Sequence, residues 1–102
     1  MTRTERIHSQ GSRINAYPYR LYVLDNAEGE DGCVVISVPK KLFKRAVKRN
    51  LIRRRTREAL RHSRADYPSM ENKGIIMVYI ADKVLDYGQI TEGLRSALAK
   101  IQ

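Results

Sequence analysis

Residues 39–64 hold 12 of the chain's 20 lysines and arginines against a single acid, Glu58, and no other feature of the sequence restricts the fold as tightly. An unpaired cation is costly to bury, so such a segment can join a core only through a narrow apolar stripe, its charges left in water or against an anionic partner. The stripe exists. Ile52, Thr56, Ala59 and Leu60 recur at i, i+4, i+7 and i+8, the spacing of one helix face, which predicts a helix at about residues 49–64. Asn50, Arg53, Arg54, Arg57, Arg61 and Arg64 fall together on the opposite side. Upstream, Leu42, Phe43, Ala46 and Val47 are out of phase with that stripe, since Val47 precedes Ile52 by five residues at about 100° each. A bend or a shorter turn is therefore expected around Lys40 to Lys48, entering the main helix.

The segment is +11 and the remainder, with 8 bases and 10 acids, is −2, for a net charge of +9. Solubility explains a moderate net charge but not its concentration on a quarter of the chain, so a polyanionic partner is implied. Thirteen of the 20 bases are arginine, whose planar fork of donors matches phosphate oxygens and stacks on bases. Nucleic acid is the partner this bias favours, and binding should weaken with salt by a log-log slope of roughly −0.7 to −0.9 per phosphate contact. A solvated basic face balanced by acids elsewhere is the plainer account, but it leaves the bases at i, i+4 spacing repelling one another. A membrane surface fits poorly, because the apolar face is narrow and lacks Trp, Phe or a second Leu. A DNA-reading helix would need a second half-site or module, and this one carries a single Asn and no Gln for reading bases. The expected partner is RNA, with neither DNA nor membrane.

The rest of the chain supplies a small scaffold. At 102 residues, 1–102 should form one domain, and 42% hydrophobic residues argue for a folded chain despite 30% charged ones. Residues 1–16 are polar and read as a tail with at most one helical turn. Residues 17–25 (YPYRLYVLD) read as a strand with Pro18 at its beginning or on an edge, 26–32 (NAEGEDG) as a turn, and 33–38 as a second strand, so the two should pair as an antiparallel hairpin. Pro39 then ends the ladder by removing a donor. Residues 64–73 read as a loop with Pro68, and the apolar run 74–81 (GIIMVYIA) as a strand covered on both faces. Asp86 should cap a last helix whose packing stripe is Tyr87, Ile90, Leu94, Ala97, Leu98 and Ile101. The order β-β-α-β-α makes an α+β domain built on a small mixed sheet. Cys33 is the only cysteine. It excludes an internal disulfide or a cysteine-built zinc site and reads as a buried, inert thiol. With no run of about 18 apolar residues and no secretory signal at the start, a soluble, cytoplasmic protein is expected.

One block has the pattern of a known family. The string VISVPKKLFKRAVKRNLIRRRTREAL resembles the signature of the protein subunit of bacterial ribonuclease P: a strand ending in S-x-K-K, a short apolar and basic stretch, then A-V-x-R-N-x-I-(K/R)-R-x-x-R-E. The matched residues are Ser37, Lys40, Lys41, Ala46, Val47, Arg49, Asn50, Ile52, Arg53, Arg54, Arg57 and Glu58. PYRLYVL resembles the family's first strand and DYGQITEGLRSAL its C-terminal helix, so the likeness spans about residues 11–101. Two departures stand out. Leu51 replaces a base that many members carry after R-N, removing one phosphate contact, and ten residues precede Gly11 where members carry a fuller N-terminal helix that forms part of the substrate cleft.

The resemblance implies a subunit that joins a large catalytic RNA and helps remove the 5′ leader from precursor tRNA. In that family the RNA holds the Mg²⁺ ions and performs the hydrolysis; the protein binds no metal itself and contributes no catalytic residue. Arg49, Asn50, Arg53, Arg54 and Arg57 would face the RNA, with Lys44, Arg45, Lys48 and Arg61 beside them. Tyr22, Ser37, Lys40 and Lys41, with Tyr19 a further candidate, would lie near the single-stranded leader, where an aromatic face stacks on a base and ammonium groups hold phosphates. The implied fold is shared with a domain of a ribosomal protein, and its crossover between second and third strands is left-handed, against the usual rule.

Independent catalysis is not expected. His8 lies in the tail and His62 on the basic helix, neither with a titrating partner at catalytic spacing, and there is no glycine-rich phosphate loop. Asp82 and Asp86 are explained as a loop acid and a helix cap. The alternative function is a structural RNA-binding protein such as a ribosomal protein, which would share the basic helix but need not contain the S-x-K-K to R-N coupling.

Overall fold

The computed structural model describes residues 7, 9, 11–25, 33–67 and 73–101. The expected turn at 26–32, the Cys33 side chain and Pro68 lie outside the described residues. Among the described residues, four strands, β1 (Ser12–Ala16), β2 (Tyr19–Asp25), β3 (Cys33–Ser37) and β4 (Lys73–Tyr79), accompany two long helices, α1 (Ala46–Ser63) and α2 (Tyr87–Ala99). Among the described residues the strands form one sheet in the order β1-β2-β4-β3. β1 and β2 are antiparallel, as are β2 and β4, whereas β3 runs parallel to β4.

The expected hairpin between residues 17–25 and 33–38 does not form. Both strands pair with β4 instead, one on each side. A strand as apolar as KGIIMVY gains most in the centre of a sheet, where both edges find ladder partners and both faces are covered, and that preference overrides the tendency of successive strands to pair. The place the hairpin would have filled beside β2 is taken by β1, in a segment the sequence suggested was tail. Ile14 and Ala16 turn toward the core while Arg13 and Asn15 face outward, and a short turn through Tyr17 and Pro18 brings Ala16 opposite Tyr19. Pro18 thus sits in that turn, after a cis peptide bond, rather than in the strand.

The core lies between one face of the sheet and the two helices. Tyr19, Leu21 and Val23 of β2 join Ile75, Met77 and Tyr79 of β4 in one cluster with Ile52, Ala59 and Leu60 of α1 and with Ile90, Leu94, Ala97 and Leu98 of α2. Burying a side chain such as Ile52 contributes about 1.5–3 kcal/mol. α1 begins three residues before position 49, at Ala46, and its last basic residue, Arg64, falls in a 3₁₀ turn spanning Arg64–Asp66. The bend expected ahead of it is present: the Leu42 and Phe43 amides fold back on the Pro39 carbonyl at 3.2 and 3.3 Å. Asp86 caps α2 as expected, accepting from the Gln89 amide at 2.8 Å while the Gln89 side chain returns to the Asp86 amide, two otherwise orphaned donors satisfied at once. Tyr87, expected in the packing stripe, is exposed instead, because the first turn of α2 projects past the edge of the core.

α2 presses close to the β1–β2 turn at Gly93. A Cβ there would overlap Pro18 Cδ and come within 2.8 Å of the Tyr17 carbonyl oxygen. The same turn is tied to the end of β4 by the Ile80 amide donating to the Pro18 carbonyl at 2.8 Å.

Candidate nucleic-acid interface

α1 is anchored by a buried row, Ile52, Thr56, Ala59, Leu60 and Ser63, which is the stripe anticipated from spacing with one further turn. Thr56 is a polar residue in that row, so its hydroxyl needs a partner, and the Tyr19 hydroxyl supplies one at 2.7 Å. With the inner face so fixed, Asn50, Arg54, Arg57, Arg61 and Arg64 are exposed along the outer face and Arg53 is half-buried beside them.

These cations are not equivalent. Arg61 donates to Glu58 at 2.6 Å and His62 meets the same carboxylate at 2.9 Å; the Arg61 hydrogen bond first, then His62, holds the Glu58 carboxyl below its ordinary range. Arg53 reaches Asn50 Oδ1 at 3.1 Å. Arg49 turns back and donates to the carbonyls of Phe43 and Lys44 at 2.7 and 2.9 Å, so one of its amino groups is spent on the chain's own backbone. Arg55, on the flank, does the same to Leu85 at 2.8 Å. Arg54 and Arg57 have no hydrogen-bond or ion-pair partner among the described residues. The helix also begins against its own dipole: the N-cap, Arg45, makes no side-chain cap, the first turn has no acid, and Lys44, Arg45 and Lys48 are all exposed there. Positive charge at a helix N-terminus is unfavourable unless an anion approaches.

A second basic surface lies on the face of the sheet away from the helices. Alternation and register place Arg13, Tyr22, Ile76 and Val35 in one row across it, and Asn15, Arg20, Val78 and Ser37 in the next. Lys40 and Lys41 are exposed in the turn that follows β3. Four of the five candidate leader residues, Tyr22, Ser37, Lys40 and Lys41, are therefore on this face or at its end. Tyr19 is not. It is fully buried on the opposite face, edge-on to Tyr79 with ring centroids 5.8 Å apart, and burial drives its hydroxyl pKa well above the ordinary value. Tyr19 is a core residue, because three positions along a strand reverse the side, and Tyr22 and Tyr19 cannot share a face. The sequence reading overlooked Arg13 and Arg20, which flank Tyr22. The polar-apolar alternation of SRINA was the available signal, and it is short. Among the described residues no three His, Cys, Asp or Glu side chains gather as a metal-binding group.

A basic helix laid over a small mixed sheet has counterparts of known kind. The family model described as Ribonuclease P matches residues 3–102. The chain belongs to the ribonuclease P protein family. Among solved structures, the ribonuclease P protein of Staphylococcus aureus is 30% identical over 96% of this chain and 89% of its own, with a TM-score of 0.78. That of Thermotoga maritima shares the fold at 21% identity, covering 98% of this chain and 92% of its own, with a TM-score of 0.83. The Thermotoga maritima protein in complex with 1-(4-fluorophenyl)-2-thiourea aligns over the whole of both chains with a TM-score of 0.81 and 20% identity. No match was found among curated proteins. As a ribonuclease P protein the chain is an RNA-binding subunit of an endoribonuclease that acts in tRNA processing, and its partner is ribonuclease P RNA.

Proposed function

We propose that the outer face of α1 docks on ribonuclease P RNA while the face of the sheet away from the helices receives the 5′ leader of precursor tRNA, with the RNA holding Mg²⁺ and carrying out the phosphodiester hydrolysis. The observation that supports this division most directly is the pair Arg54 and Arg57: two adjacent guanidinium groups on a rigid helix, exposed and without a carboxylate among the described residues. Phosphate oxygens satisfy such forks in pairs. Tyr22, with Arg13, Arg20, Ser37 and the two lysines near it, supports the leader reading, since an aromatic ring among cations is the arrangement that holds single strands by stacking and charge. The chain's own part is to bind and orient, and its helix and sheet face keep both polyanions in a fixed relation.

The test is reconstitution. Added to the ribonuclease P RNA of the same genome, the full chain should lower the Mg²⁺ concentration needed to remove the 5′ leader from a precursor tRNA. RNA that cleaves no better with the protein than without it, at physiological salt, would overturn the assignment.

A further inference from the structure

A groove of about 560 Å³ opens where the connector before α1 faces the loop after β4, within the roughly 300–1,000 Å³ range of sites that hold small organic ligands. Its floor is apolar: Leu42, Val84 and the edge of Phe43, whose ring is packed on Tyr79 with centroids 5.9 Å apart. Its rim is cationic, with Lys44, Arg45 and Lys48 on the α1 side and Lys83 across from them, against one acid, Asp82. All five rim side chains are exposed.

Both walls are held in place by side chains that reach into them. On one side Arg49 clamps the carbonyls of Phe43 and Lys44. On the other, the Tyr79 hydroxyl donates to the Lys83 carbonyl at 2.7 Å and accepts from the Leu85 amide at 3.1 Å, while Arg55 donates to the Leu85 carbonyl. Two arginines of the basic helix are thus turned away from solvent to fix the backbone on either side of one cleft. A cleft fixed before binding loses little freedom when it is filled. Four cations around an apolar floor are complementary to a ligand that is flat and apolar at its centre and anionic at its ends.

We propose that this groove takes an unpaired nucleotide of the RNA partner, its base on Leu42 and Val84 and its flanking phosphates on Lys44, Lys48 and Lys83. The proposal rests on the reading of this chain as an RNA-binding subunit and adds a second element to the interface, so that α1 contributes phosphate contacts along its outer face and a base site at its start. A duplex offers no free base and should touch only the rim.

The experiment uses the full chain with labelled methyl groups and two probes, a short single-stranded oligoribonucleotide and a blunt RNA duplex with the same number of phosphates. The Leu42 and Val84 methyl resonances should move with the single strand and stay in place with the duplex. Replacing Lys83→Ala together with Val84→Thr, the second at a half-buried residue packed against the edge of the core, should weaken single-strand binding by about tenfold and duplex binding by less than threefold. Methyl groups that stay still while the single strand binds elsewhere, or that move equally with the duplex, would overturn the base site. So would methyl shifts that follow protein concentration without RNA, which would mark the groove as a contact between two copies of the chain. An Arg54→Ala, Arg57→Ala variant separates the two readings. If it loses the duplex while the groove stays silent, only the base site fails; if the unaltered chain binds neither probe, the base site and the wider RNA-binding reading fall together.

Discussion

The Tyr19 and Thr56 hydroxyls meet at 2.7 Å beneath the arginine helix, and neither residue has any surface in contact with solvent. This pair joins β2 to the inner face of α1, so the angle at which the outer face presents its guanidinium groups depends on it. Removing one member leaves the other buried and unsatisfied. Thr56→Val or Tyr19→Phe alone should each lower stability by about 1–3 kcal/mol, and the double variant should lose well under the sum of the two, since neither hydroxyl is then left stranded. Urea unfolding of the four proteins measures this coupling, and simple additivity would show that the bond does not hold the helix.

The same burial fixes an alkaline limit. Desolvation raises the Tyr19 hydroxyl pKa far above its ordinary 10.0, and burial raises Tyr79 as well. A raised folded-state pKa means that the stabilisation is complete below the unfolded value near 10 and is lost progressively as the pH climbs above it. The tyrosinate absorbance of this pair should appear only together with loss of circular dichroism. Ionisation of Tyr19 and Tyr79 in a chain that stays folded would contradict their burial.

Arginines on one helix should separate into two behaviours. Arg54→Ala with Arg57→Ala should flatten the salt dependence of RNA binding by about two contacts, each worth roughly 0.7–0.9 in log-log slope, and leave the melting temperature nearly unchanged. Arg55→Ala should do the reverse, since its guanidinium holds the Leu85 carbonyl: lower stability by about 1–2 kcal/mol with little change in slope. Salt titrations read alongside thermal melts distinguish the two, and identical effects from both variants would refute the division.

Tyr22 should matter only to substrates that carry a leader. Tyr22→Ala is expected to weaken binding of precursor tRNA to the assembled ribonucleoprotein by about 1–3 kcal/mol, the value of one stacked base, with no change for mature tRNA. Equal losses for both would place the residue outside the leader site.

At Gly93 the approach of α2 to the Tyr17–Pro18 turn leaves no room for a methyl group. Gly93→Ala gains helix propensity yet should destabilise the fold by about 1–3 kcal/mol, because the obstacle includes backbone that cannot step aside. Ser96→Ala, exposed one turn later, should stay within about 0.5 kcal/mol in the same denaturation series.

What could be read from the sequence was whatever local spacing or a contiguous motif encodes. A period of 3.6 marked the inner face of α1 through Ile52, Thr56, Ala59 and Leu60, Asp86 as a capping residue marked the start of α2, and the run from Ser37 to Glu58 carried the family resemblance. Strand pairing is not local, and there the tertiary structure decided. The partners of β2 and β3 depended on where the apolar β4 would be buried best, and β1 became a strand only because β2 had a free edge. Period-two alternation already placed Tyr19 and Tyr22 on opposite faces, but which of them faced the core required the register with β4. Arg49 and Arg55 carry the same charge as Arg54 and Arg57 and sit in the same basic run. Only the folded backbone, with carbonyls of Phe43, Lys44 and Leu85 lying within reach, turned the first two inward and left the others for an external partner.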